Sequence, residues 1–126
     1  MKHWRFTVAA LLGLIGLGAA AAEPDNFRVR TTEDLVSLCG AEPGSETYVA
    51  AIHFCHGFAV GAYRYYEAIA AASLEDRYVC PPEQPPSRSA VIAEFIGWAR
   101  QHTEHLAAPA VDSMFRFLGE RFPCQS

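Results

Sequence analysis

Apolar positions in this chain change their spacing several times, and each change marks an element. Phe6 to Gly18 is an apolar stretch without a charge, preceded by Lys2 and Arg5 and followed by Ala20-Ala21-Ala22. A basic start, an apolar middle and a small-residue end are the three parts of a secretory signal, cut here after Ala22. The 17 residues from Phe6 to Ala22 fall short of the roughly 20 a membrane span needs. Residues 23–30 show no helical period and read as a loose N-terminal arm. A helical period starts at Thr31 or Thr32, with Glu33 and Asp34 in the first turn, where negative charge meets the positive end of the helix dipole. Leu35, Leu38 and Cys39 make its inward face, and Gly40 suits a left-handed cap.

Pro43-Gly44 marks a turn, and Ser45 is a candidate cap for a long helix from Glu46 to about Ala72. That segment is apolar nearly all round, which predicts the central helix of a bundle. Gly57 and Gly61, four apart, predict a close approach by another helix. Ser73 to Ser87 is a loop whose Cys80-Pro81-Pro82-Glu83-Gln84-Pro85-Pro86 stretch is extended and stiff, because its prolines fix φ and remove donors. Ser87 or Ser89 caps a third helix reaching about Arg100, with Val91, Phe95 and Trp98 inward and Ile92 and Ala99 beside them. After a connection at 102–106, a fourth helix starts near Ala108, with Val111, Met114, Phe115, Leu118 and Phe122 as its stripe, and Pro123 stops it. No segment alternates like a strand. The fold class expected is all-α: a small four-helix bundle stapled by two disulfides.

The staples follow from the cysteines. Cys39, Cys55, Cys80 and Cys124 all follow the signal, and an even count in a short exported chain reads as two disulfides. Four cysteines allow three pairings. Cutting 22 of 126 residues leaves 104, enough for one domain with a modest core. Without Lys2 and Arg5, eight arginines face fourteen carboxylates, a net charge of −6. Such a domain suits neither nucleic acid nor membrane insertion after signal cleavage, and its field favours a partner with a basic patch.

Catalytic chemistry finds no support in the motifs. His53 and His56, like His102 and His105, are three apart, but the paired ligand spacings of a zinc site are missing. Cys55-His56 lacks the earlier cysteine of a haem attachment site, since Ile52 stands there. No nucleophile elbow, phosphate loop or Ser-x-x-Lys occurs, and Ser113 has no sequence neighbour that would activate it. The expectation is no enzyme, no metal and no cofactor. Tyr63, Arg64, Tyr65 and Tyr66 form the densest aromatic cluster, and at least one of the tyrosines must face a surface.

The order of the motifs is informative: Thr32-Glu33-Asp34-Leu35 leading to Cys39, Cys55-His56-Gly57-Phe58 with Gly61, Cys80-Pro81-Pro82, and Phe122-Pro123-Cys124. This order resembles the Rap/Tai family of periplasmic immunity proteins, over residues 31–124. Phe58 departs from the tyrosine expected there, which bears on packing. The resemblance implies a helical, disulfide-linked periplasmic protein that sterically inhibits a toxin, a peptidoglycan amidase delivered by type VI secretion. It also implies a homodimer. The alternatives are a small periplasmic helical chaperone and a structural envelope protein.

On the helix order, Cys39 ends one helix and Cys55 lies about two and a half turns into the next, so a tight hairpin predicts Cys39–Cys55. Cys80 precedes the third helix and Cys124 follows the fourth, so an antiparallel pair predicts Cys80–Cys124. For the partner-binding surface the expectation is Glu83, Gln84 and Arg88 on the proline loop, with Tyr65. The loop's prolines lower the entropy lost on binding.

Overall fold

A computed structural model describes residues 21–125. Four α-helices carry the fold: α1 (Thr32–Cys39), α2 (Tyr48–Ala72), α3 (Arg88–Gln101) and α4 (Ala110–Arg121). Among the described residues extended pairing is limited to two isolated antiparallel bridges, Thr31 with Pro109 and Val79 with Pro123. The expected signal lies outside the described residues except for Ala21 and Ala22. Ala22 is buried, and the Thr47 hydroxyl donates to its carbonyl at 3.1 Å. The folded unit therefore includes a residue that the expected cut would remove. No described helix is long and apolar enough to cross a membrane.

The shortest helix, α1, sits at the centre, packed against α2, α3 and α4. This corrects the expectation that α2 would be central. Thr32, Leu35 and Leu38 are almost wholly buried. Helix α1 starts with a reciprocal cap: Thr31 Oγ1 accepts from the Asp34 N–H at 3.2 Å, and Asp34 accepts from the Thr31 N–H at 3.1 Å. The next two orphan N–H groups are satisfied from the α3–α4 connection, Thr32 N–H donating to Ala108 O at 2.8 Å and Glu33 N–H to Leu106 O at 3.0 Å. Inside, Thr32 Oγ1 and Ser113 Oγ are hydrogen-bonded at 2.7 Å. Gly40 ends α1 at φ −97°, so no left-handed cap forms there.

Helix α2 starts two residues later than its pattern predicts. Ser45 caps nothing; its hydroxyl donates back to Glu42 O at 2.9 Å inside the preceding turn. Ala51, Cys55, Tyr66 and Ala70 are the buried face of α2, and the opposite face is open. A Cβ built on Gly57 or Gly61 would meet nothing within 4 Å, so no described helix uses the expected close approach. The arm at 23–30 is not loose. Pro24–Arg28 forms a 3-10 turn, Asn26 Nδ2 donates to Asp34 at 2.9 Å, and the Phe27 ring meets Phe54 edge-on at 5.5 Å.

Ser87 caps α3, its hydroxyl accepting from the Ala90 N–H at 3.2 Å. Phe95 and Ala99 are buried, with Val91, Ile92 and Trp98 half-buried beside them. Pro109 precedes α4 as its N-cap. The α4 stripe is rotated from the expected one: Val111 is exposed, while Ala110, Ser113 and Phe117 join Met114, Phe115 and Leu118 inside. Cys39–Cys55 and Cys80–Cys124 are the disulfides, with Cα atoms 5.1 Å and 4.9 Å apart. The expected fold class and both expected pairings are the observed ones.

Candidate partner-binding surface

The loop between α2 and α3 is built from a fixed end. Tyr66, buried on α2, places its hydroxyl against the chain returning from the helix. The N–H groups of Tyr78 and Val79 both donate to it at 2.9 Å, and it donates to Val79 O at 3.4 Å. The Cys80 N–H then donates to Phe122 O at 2.7 Å, and the disulfide to Cys124 follows. Tyr78 continues the aromatic contacts, 5.2 Å from the Tyr66 ring and lying over Gly119, where a Cβ would come within 3.3 Å of it. Beyond this clamp, residues 82–85 are exposed until Ser87 starts α3. Against the expectation of a fully extended stretch, the chain bends at Glu83 and Gln84, the two residues between the proline pairs.

Helices α2 and α3 make no extensive contact with each other. The space between them, closed on one side by the proline loop, is a cleft of about 560 Å3. Phe95, Met114, Phe117 and Leu118 are buried and form its floor. Arg64, Arg77, Arg88, Glu67 and Glu83 stand at its mouth. Arg64 is paired with Glu67 at 2.6 Å, and among the described residues neither Arg77 nor Arg88 has an ion-pair partner. Tyr63 lines the wall. Burial, then the charge of Glu67, pushes its hydroxyl above the usual tyrosine range, while Arg64 and Arg77 act in the opposite direction.

The residues expected at a partner surface divide between two faces. Glu83 and Arg88 border the cleft, and Gln84 is exposed on the same loop. Tyr65 lies elsewhere, 71 % exposed on the open side of α2, outside the cleft lining. Val49, at 66 %, and Ile69, at 40 %, also extend from α2 into solvent. Sequence reasoning did not single out Arg77 or the anchoring role of Tyr66. Arg77 carries no local motif, since only folding of the loop brings it to the cleft. Tyr66 was one of a recognised cluster, but its partners are backbone groups twelve and thirteen residues away.

Three of the side chains that invite a catalytic reading, His102, His105 and Ser113, are in structural roles. His105 stacks on Trp98, with centroids 5.5 Å apart and planes at 4°, and His102 lies 4.7 Å from the same ring. His102 Nδ1 is 3.1 Å from Glu104 Oε1. Ser113 is buried against Thr32 and has no histidine side chain within hydrogen-bond reach.

Comparison with known families gives one match. The model of a family described as Rap1a immunity proteins matches residues 31–124, which takes in all four helices and both disulfides. No curated protein and no solved structure matches the chain.

Proposed function

The chain belongs to the Rap1a immunity protein family, and from that premise we propose that it is exported to the periplasm, where it binds a toxin and blocks it sterically. The toxin we propose is a peptidoglycan amidase delivered by type VI secretion. The family match over residues 31–124 carries this reading. Two closed disulfides suit an oxidising compartment. Inhibition then needs a surface, not a reaction, and the protein acts without catalysis. The proline loop is the first candidate for that surface. It is held at Tyr66 and at Cys124, and Glu83, Gln84 and Arg88 project from it with little ordering left to do on binding. We also propose that the protein acts as a homodimer, for which the exposed Tyr65 and Ile69, four residues apart on α2, are available.

The test is capture of exported amidases by the oxidised protein, followed by titration of their peptidoglycan hydrolysis. Inhibition should saturate at one binding site per toxin. Capture without inhibition would overturn the steric mechanism, and failure to capture any amidase would overturn the assignment of the toxin. Sedimentation of the protein alone decides the dimer.

A further inference from the structure

The cleft beside the proline loop has a shape and a charge distribution that toxin binding does not require. Its floor is apolar, made of buried Phe95, Met114, Phe117 and Leu118. At about 560 Å3 it falls in the range of small-molecule sites, about 300–1,000 Å3. An extended peptide would be poorly held here. Four of the six residues in the wall at 81–86 are prolines without an N–H, and the other walls are helices whose backbone groups are already bonded. A peptide backbone laid here would lose water and find few partners. An alkyl chain has no such groups to satisfy.

The mouth selects a head group. Arg64 and Glu67 neutralise each other at 2.6 Å. That leaves Arg77 and Arg88 against Glu83, a net of one positive charge in a domain that is otherwise strongly acidic. One surplus positive charge over an apolar pocket complements one anion on one chain. The walls are pre-formed, since the loop is held by the Tyr66 hydroxyl and the Cys80–Cys124 bridge.

We propose that this cleft binds a single-chain amphiphile with one carboxylate head, of the fatty-acid class. The chain lies on Phe95, Met114 and Leu118, and the carboxylate lies between Arg77 and Arg88. The proposal shares Glu83 and Arg88 with the surface proposed for the toxin, but its argument does not depend on that role.

Calorimetric titration of the oxidised protein with dodecanoate, below its micelle concentration, tests the proposal. Saturable binding at one site is expected. Dodecyltrimethylammonium, with the same chain and the opposite head, should bind at least tenfold more weakly. Arg77→Gln with Arg88→Gln changes two exposed side chains, should leave the circular dichroism unchanged, and should weaken dodecanoate about tenfold. Methyl NMR shifts should fall on Ile92, Met114 and Leu118. The proposal is overturned by absence of saturable binding, by equal affinity for the cationic chain, or by an unchanged affinity in the arginine variant. Methyl shifts confined to Val49 or to Ile69 would equally overturn it, as they would place the chain on α2 outside the cleft. Binding of an acidic apolar peptide where dodecanoate fails would assign the cleft to a protein segment instead.

Discussion

Single side chains hold one end of the proline loop and the start of the central helix. Burial alone would raise the Asp34 carboxyl. Hydrogen bonds from Asn26, from Thr31 and from the Arg30 N–H outweigh it and hold the group below the ordinary value of 3.8. A carboxylate depressed by folding adds stability that is complete above its unfolded pKa and is lost as pH falls through the folded one. Asp34→Ala should therefore lower stability by about 1 kcal/mol at pH 7, as loss of a cap does. The gap to the parent protein should close below pH 3.8, as urea unfolding at several pH values would reveal. Tyr66→Phe keeps the ring contacts with Phe115 and Tyr78 but strips two backbone N–H groups of their acceptor. Leaving buried donors unpaired costs about 1–3 kcal/mol. The expected loss is about 2 kcal/mol, with faster amide exchange at Tyr78 and Val79 as its local signature. A Phe variant as stable as the parent would show that the loop is held by the disulfide alone.

At the scale of helices, what was legible depended on how local the cause is. The Thr31–Asp34 cap of α1 and the Ser87 cap of α3 involve neighbours three residues apart, so their positions are written in the sequence. The burial of α2 is not local. At 25 residues it is about 37 Å long, whereas α1, α3 and α4 are about 12, 21 and 18 Å long. No set of such short partners can surround it, so an all-round apolar pattern ends with one face in solvent. In α4 the expected stripe took Val111 as an anchor. The buried face runs instead through Ala110, Ser113 and Phe117, because the Ser113 hydroxyl is satisfied by Thr32 of α1. A small residue and a hydroxyl gave the hydrophobic pattern nothing to register. The cleft was likewise unreadable, since Arg64, Arg77 and Arg88 converge only once the loop is closed. The disulfide pairing did follow from helix order, and it yields a graded expectation. The bridges span 16 and 44 residues, for which loop entropy gives about 3 and about 4 kcal/mol. Replacing Cys80 and Cys124 by alanine should lower the denaturation midpoint more than replacing Cys39 and Cys55. The reverse order would mean that native contacts around Cys55, which is fully buried, outweigh chain entropy.

For the molecule as a whole, the proposed steric mechanism has a measurable consequence. An inhibitor that covers a surface spreads its binding energy over several contacts, so protection tracks occupancy and stops at one binding site per toxin. The histidines and Ser113 would be the reacting groups of any hidden activity, and three of them have structural roles. His102 and His105 pack on Trp98, while Ser113 bonds to Thr32. His53→Ala, His56→Ala, His102→Ala and His105→Ala should each leave protection intact at equal folded concentration. Ser113→Ala should lower stability by about 1 kcal/mol, the ordinary net worth of one hydrogen bond, since the Thr32 hydroxyl can still donate to Ala108 O at 3.1 Å, without changing inhibition by the protein that remains folded. Glu83→Gly with Gln84→Gly should act in the opposite sense, with unfolding hardly altered and toxin affinity reduced. These side chains are exposed, and glycine restores the freedom that the prolines remove. An affinity change under about 0.5 kcal/mol, the size of an ordinary surface substitution, would demote the loop to a connector. A single histidine variant that abolished protection while still binding toxin would assign the protein a reaction, and the steric account would fail.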